Sequence, residues 1–106
     1  MIHLKYGGKI GEIYMYVILA YDIKSDEGGQ KVLSKTFKTC KRYLSHIQNS
    51  VFEGDLEASQ LVKLEYELKN IIRPSKDSII VFKSRSNRWL EKDMWGVKDD
   101  KTSNFI

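Results

Sequence analysis

One carboxylate stands out as a candidate for chemistry. Asp22 ends an apolar run, residues 15–23 (MYVILAYDI), just before a polar loop that contains Gly28 and Gly29. A charge at the end of a buried strand is costly without a partner, so Asp22 is expected either to cap loop amides or to bind a metal. Mg²⁺ takes about six oxygens, usually one or two carboxylates with water and phosphate. Two copies of Asp22 meeting across a homodimer axis would supply such a site, and its metal would activate water for attack on a phosphodiester.

The first predicted helix, residues 31–44, carries its charge on one side. Its apolar residues are spaced by four, three and four and fall within an arc of about 60°; they are Leu33, Phe37, Cys40 and Leu44. Its basic residues repeat that spacing two positions earlier, and therefore lie on the opposite side; they are Lys31, Lys35, Lys38 and Arg42. The segment contains no acid. This basic stripe predicts contacts with nucleic-acid phosphates, and a merely solvated face is the alternative.

Other residue types suggest less chemistry. His46 stands alone at a strand start and Cys40 lies on the apolar helix face, so both are predicted to be structural. The sequence contains no Cys/His cluster at metal-ligand spacing, no phosphate-binding glycine motif and no nucleophile elbow. Lys83, Arg85 and Arg88 form a second basic cluster near the last predicted strand. They are added to the candidate nucleic-acid-binding residues.

The elements that must position these residues follow the order strand, helix, one or two strands, helix, strand. Unbroken apolar runs predict strands at 15–23 and 78–84, and helical spacing predicts helices at 31–44 and 57–72. Residues 45–56 are expected to form either one bent strand or a short hairpin. This order predicts an α+β, ferredoxin-like βαββαβ sandwich. Its helices cover one sheet face, so the other, partly apolar face needs a partner, which a homodimer supplies most simply.

Length and composition limit the possible classes. A chain of 106 residues with 42% hydrophobic and 30% charged residues is typical of one globular domain and excludes wholesale disorder. The net charge of +4 alone is weak support for a nucleic-acid partner. A single cysteine predicts a reducing, cytoplasmic location. The longest apolar run, 13–21, is too short to span a bilayer, so no membrane partner is expected.

The first fourteen residues differ from the rest of the chain. Residues 1–14 contain three glycines and sustain no period of a strand or helix, whereas a strong strand pattern begins at Met15. We therefore predict that 1–14 is an extension upstream of the natural start, and that 15–106 forms the ferredoxin-like domain. A short extra strand within the extension is the alternative.

Three segments together resemble the CRISPR-associated protein 2 family, the smaller of two spacer-acquisition proteins. They are 15–23 (MYVILAYDI), 43–56 (YLSHIQNSVFEGDL) and 77–86 (DSIIVFKSRS). The resemblance implies a ferredoxin-like homodimer in which Asp22 binds Mg²⁺ across the interface. The terminal TSNFI also resembles the C-terminal segment of the family, which implies an extra C-terminal strand segment. It also implies that Phe52 occupies a position linked to nuclease activity.

The same resemblance implies two activities. One is metal-dependent cleavage of single-stranded RNA or of DNA. The other is to bridge two dimers of the CRISPR integrase. The resulting complex is a heterohexamer, and it holds a duplex DNA prespacer on a basic surface. Many members have arginine at the position of His46 and in the loop at 28–31, where this chain has none. The bridging role needs only surface charge and is therefore favoured over strong nuclease activity. Two other functions remain as alternatives for the chain, a VapD-type toxin ribonuclease and a non-catalytic regulatory domain.

Overall fold

The computed structural model describes residues 3–4, 13–85 and 93–96. Within them lie five strands and two helices, in the order β-β-α-β-β-α-β. Their bounds are β1 His3–Leu4, β2 Ile13–Asp22, α1 Gly29–Tyr43, β3 Ser45–Gln48, β4 Val51–Glu57, α2 Ala58–Lys69 and β5 Ser78–Ser84. Each strand and helix predicted between residues 15 and 84 is present, with ends shifted by at most three residues. The segment 45–56 is a hairpin, because β3 and β4 are joined by the turn at Asn49 and Ser50.

β2 forms the centre of an antiparallel sheet. It pairs with β4 on one side and β5 on the other, and β3 continues the sheet beyond β4. In this register Leu19 lies between Phe52 of β4 and Val81 of β5. β1 pairs with the first two residues of β2. This topology confirms the α+β, ferredoxin-like prediction, while the proposal that 1–14 is an extension stays a prediction.

The face of the sheet under the helices forms the core. Side chains alternate between the two faces of a strand, and on this face β2 and β4 place large apolar residues that α1 and α2 cover. The buried set is Val17, Leu19, Tyr21, Cys40, Leu44, Phe52, Leu56, Leu64 and Leu68. Cys40 is fully buried, which confirms it as a core residue, and this burial raises the pKa of its thiol to about 12. Burying such side chains contributes about 1.5–3 kcal/mol each, so this core is the main source of stability.

The other face of the sheet has no helix over it among the described residues. The alternation places Ile18 and Asp22 of β2 on this open face, together with Ile80 and Phe82 of β5. Ile80 is 55% exposed and Phe82 is 60% exposed. The prediction that one partly apolar face is left uncovered by the helices is therefore confirmed.

Parts of the C-terminal region lie outside the described residues. They include Arg88 and the predicted extra C-terminal strand segment. Among the residues that the structure describes, no helix is both long and apolar enough to cross a membrane.

Candidate metal centre and nucleic-acid interface

Asp22 lies at the last position of β2, on the open face and opposite Ser78 of β5. Its side chain is exposed and makes no hydrogen bond or ion pair with any other described residue. Asp22 ends a strand with a buried face, as expected, but its own carboxylate faces solvent, so the expected cost of an unpartnered charge does not arise. The alternative of local capping is not observed either, because another carboxylate caps the loop after β2. Both oxygens of Asp22 remain available to a cation.

The carboxylate that holds this loop is Asp77, which sequence reasoning missed. Its buried side chain accepts a hydrogen bond from the Lys24 amide at 2.9 Å and from Arg73 Nε at 2.9 Å and Nη2 at 3.0 Å. Arg73 Nη1 also donates to Asp26 Oδ1 at 2.6 Å. We call Asp26, Arg73 and Asp77 the Arg73 cluster. It ties the loop that follows Asp22 to the turn that precedes β5.

Electrostatics in the Arg73 cluster follow from these bonds. The Arg73 guanidinium holds the pKa of Asp77 well below its usual range, and the same group lowers the pKa of Asp26. Close packing supports the arrangement at Gly29, where an added Cβ would lie 2.2 Å from the Lys24 carbonyl oxygen. Only glycine fits there. The loop after β2 is thus fixed by both charge and shape.

The described residues of one chain contain no complete metal site. No group of three or more histidine, cysteine, aspartate or glutamate residues that could hold a metal exists within 3–4, 13–85 and 93–96. Asp22 fits the chemistry of a Mg²⁺ ligand, because it is an exposed carboxylate without a protein partner. It offers one carboxylate, so a second chain would have to supply the next.

Phe52 lies on the opposite face from Asp22. It is fully buried under the helices, with its ring centroid 6.0 Å from that of Tyr21, 5.5 Å from Phe37 and 4.8 Å from His46. The structure therefore does not bring the two candidate catalytic residues together. Phe52 contacts Tyr21, the neighbour of Asp22 along β2, and acts on that strand only through packing.

The basic stripe of α1 is exposed as predicted, although one member has a partner. Arg42 forms an ion pair with Glu67 of α2, and the Tyr43 hydroxyl donates to the same carboxylate. The hydrogen bond from Tyr43 and that from Arg42 lower the pKa of Glu67. The three exposed lysines of the stripe have no ion-pair partner among the described residues; they are Lys31, Lys35 and Lys38.

The second basic cluster lies at another edge of the molecule. α1 packs on β3 and β4, whereas Lys83 and Arg85 belong to β5 and the residue after it, across β2 from β4. Both side chains are exposed. One chain thus presents two separate basic patches rather than a single surface.

Comparison with known proteins assigns the family. The family model described as CRISPR associated protein Cas2 matches residues 15–92. The chain belongs to the Cas2 family. The CRISPR-associated endoribonuclease Cas2 of Fusobacterium nucleatum subsp. nucleatum is 52% identical over 98 residues, which are 92% of this chain and 92% of that one. The CRISPR-associated endoribonuclease Cas2 2 of Moorella thermoacetica is 38% identical, over 85% of this chain and 100% of that one.

A solved structure supports the same assignment. It is described as the crystal structure of cas2 and aligns with a TM-score of 0.71 at 32% identity, over 82% of this chain and 92% of that chain. The resemblance to the CRISPR-associated protein 2 family is confirmed. This Cas2 chain therefore shares its family and fold with proteins named as endoribonucleases.

Proposed function

We propose that this Cas2 protein acts as a homodimer that binds nucleic acid and bridges two dimers of the CRISPR integrase during spacer acquisition. We further propose that it hydrolyses phosphodiesters of single-stranded RNA or duplex DNA with Mg²⁺ held by two copies of Asp22. The observation that carries this proposal is the open sheet face, which combines exposed apolar residues with an unpartnered carboxylate at its end.

The apolar part of the open face supports the homodimer. Ile80 and Phe82 are more than half exposed on β5, beside Ile18 of the central strand. Contiguous exposed apolar surface typically marks an interaction site. A second copy offers an identical face, and a two-fold axis brings equivalent residues of the two copies together. Asp22 shares this face, so the same contact can pair the two carboxylates.

The paired carboxylates account for the hydrolytic activity. When bound, Mg²⁺ supplies a polarised water and neutralises charge on the phosphate under attack. Asp22 has both oxygens available, whereas Asp77 and Asp26 are already bonded to Arg73. The Arg73 cluster fixes the loop that begins after Asp22. Phe52 supports the end of the strand from the buried side, as a packing residue rather than one that contacts substrate.

The basic patches support the bridging role. Lys31, Lys35 and Lys38 form a lysine row along one helix, which suits the regularly spaced phosphates of duplex DNA. Lys83 and Arg85 offer a second patch at the β5 edge, and Arg88 stays a proposed nucleic-acid-binding residue. Positive charge on two sides of the molecule suits a protein that holds a long nucleic acid between two integrase dimers. Membership of the Cas2 family supports the CRISPR integrase as that partner.

Replacing one carboxylate tests the hydrolytic centre. We expect Asp22→Asn to abolish Mg²⁺-dependent cleavage of RNA or DNA, because the amide removes the charge that holds the metal. Duplex binding should be unchanged, since the lysine row is intact. Cleavage is measured on labelled oligonucleotides, and binding is measured by fluorescence anisotropy.

Asp55→Asn is the matched control for this experiment. This variant also removes a carboxylate from the open face of the sheet. Asp55 lies opposite Tyr16, however, which is six residues before Asp22 on β2, so Asp55 is roughly 20 Å from the proposed centre. This variant should cleave like the wild type. Equal cleavage by Asp22→Asn and the wild type would remove Asp22 from the proposed centre.

A further inference from the structure

A cavity of about 210 Å³ lies between the first half of α1 and the turn that joins β3 and β4. It is on the helix side of the sheet, so it is separate from Asp22 on the open face. Tyr21, Leu33 and Phe37 form its apolar wall. Its volume equals that of about seven water molecules, which is space for a small planar ring system rather than for a drug-sized ligand.

The wall of this cavity carries a hydrogen-bond donor, the hydroxyl of Tyr21. Tyr21 is 6% exposed and its ring stacks on that of Phe52, yet its hydroxyl bonds to no other described residue. A phenol hydroxyl is protonated at neutral pH and can donate a hydrogen bond. A ligand in the cavity can accept this hydrogen bond in place of solvent.

The rim of the cavity carries amides and a positive charge. Gln30 and Asn49 line it, and these side chains pair well with the edges of bases, adenine in particular. The turn that holds Asn49 is fixed, because His46 Nε2 lies 2.7 Å from the Asn49 carbonyl oxygen. Lys38 also lines the cavity and belongs to the basic stripe of α1. A base in the cavity would therefore have its phosphate beside the lysine row.

We propose that this cavity binds one unpaired nucleobase of a nucleic acid held on the basic stripe, with Tyr21 and Asn49 contacting the base and Lys38 the phosphate. Unpaired bases in proteins are held by aromatic or apolar faces and read by polar groups at their edges, and the cavity supplies both. The inference rests on the nucleic-acid binding proposed above and adds a preference for a flipped base.

Three DNA probes test the cavity. The first is a short duplex with one unpaired adenine nucleotide in its middle, the second has that nucleotide abasic, and the third is fully paired. Fluorescence anisotropy at low salt should show that the wild type binds the first probe about fivefold more tightly than the second. Tyr21→Phe keeps the ring and removes the hydroxyl, and should reduce this preference by about two- to fivefold, which is within the worth of one hydrogen bond. Its affinity for the paired duplex should not change.

Asn49→Gly provides a second variant. The residue has φ of 44°, which glycine adopts freely, so the turn keeps its shape while the amide is lost. It should reduce the preference for the unpaired base as Tyr21→Phe does. Tyr66→Phe is the matched control, because Tyr66 is 71% exposed on α2 and does not line the cavity; it should retain the preference.

The outcomes distinguish the cavity proposal from the nucleic-acid binding proposed above. Equal binding of the base-bearing and abasic probes by the wild type, with firm binding of the duplex, would overturn the cavity proposal and leave the proposed function standing. A full preference in both Tyr21→Phe and Asn49→Gly would do the same. Lys35→Glu should weaken all three probes alike and reduce the salt slope by about one. Failure of the wild type to bind any probe at low salt would overturn both proposals.

Discussion

Two aspartates at the same end of the sheet have opposite surroundings. Asp22 ends β2, and Asp77 immediately precedes Ser78, the residue that pairs with Asp22. The Asp77 side chain is 0% exposed and accepts bonds from Arg73 and from the Lys24 amide. Asp22 is exposed and bonds to no other described side chain. The chain therefore uses one carboxylate to build the loop and leaves the other for a ligand.

The difference shows that burial alone does not identify a functional acid. Asp77 is the more buried and the more perturbed of the two, features often taken as a sign of an active site. Its lone pairs are already occupied, however, and the adjacent Arg73 guanidinium neutralises its charge. A cation would have to displace that arginine. Solvent-facing Asp22 needs no such rearrangement, so it is the better candidate ligand.

The largest expected effect concerns stability. Asp77→Asn should lower the free energy of unfolding by about 2–3 kcal/mol, because a buried charge-assisted pair loses one partner. Asp22→Asn should change it by less than about 0.5 kcal/mol, as expected for an exposed side chain without partners. Urea unfolding followed by circular dichroism measures both. A loss of similar size in the two variants would contradict the division of roles.

The dependence of the free energy of unfolding on pH in the acid range provides a second test of the role of Asp77. The pKa of Asp77 is lowered in the folded state by the hydrogen bond from Arg73. A carboxyl whose folded pKa is depressed contributes stability above its unfolded pKa of about 3.9 and loses it as pH falls further. The wild type should therefore exceed Asp77→Asn by its full margin at neutral pH, and that margin should shrink below about pH 4.

Urea unfolding at several pH values tests this prediction. Asp26 and Glu67 also have a lowered pKa, so the absolute stability of both proteins should fall in acid. The informative quantity is the difference between them, because those groups are common to both. A margin that stays constant from neutral pH to acid would show that Asp77 contributes through its shape rather than its charge.

The sequence predicted the elements well because their signals are local. The unbroken apolar runs of β2 and β5 and the helical spacing in α1 each identify an element without reference to the rest of the chain. The sequence alone does not decide between one bent strand and a hairpin at 45–56, because the hairpin depends on Asn49 adopting a positive φ. Exposure of the lysine row followed from helical spacing in the same way.

The site was harder to predict because it depends on long-range pairing. Register decides that Phe52 lies opposite Leu19 and so faces the helices, whereas Asp22 faces the other way. A shift of one residue would exchange those faces. The bond from Arg73 to Asp26 joins residues 47 apart in sequence. The only local sign of the cluster was the RPSKD turn, in which Arg73 and Asp77 are four apart and can contact each other across one turn.

The smallest expected effect is the response to Mg²⁺, and it tests whether Asp22 is the available ligand. A ligand that binds only the folded state stabilises it by about 1.4 kcal/mol at ten times its dissociation constant, which in a domain of this size is a rise in Tm of about 6–10 °C. The wild type should show this rise when Mg²⁺ replaces Na⁺ at constant ionic strength, and Asp22→Asn should not. Asp77→Asn should start from a lower Tm and still show the full rise. If Mg²⁺ still raises the Tm of Asp22→Asn, the ion binds elsewhere. If Mg²⁺ fails to raise the Tm of Asp77→Asn alone, the buried carboxylate is part of the metal site despite its bonds to Arg73.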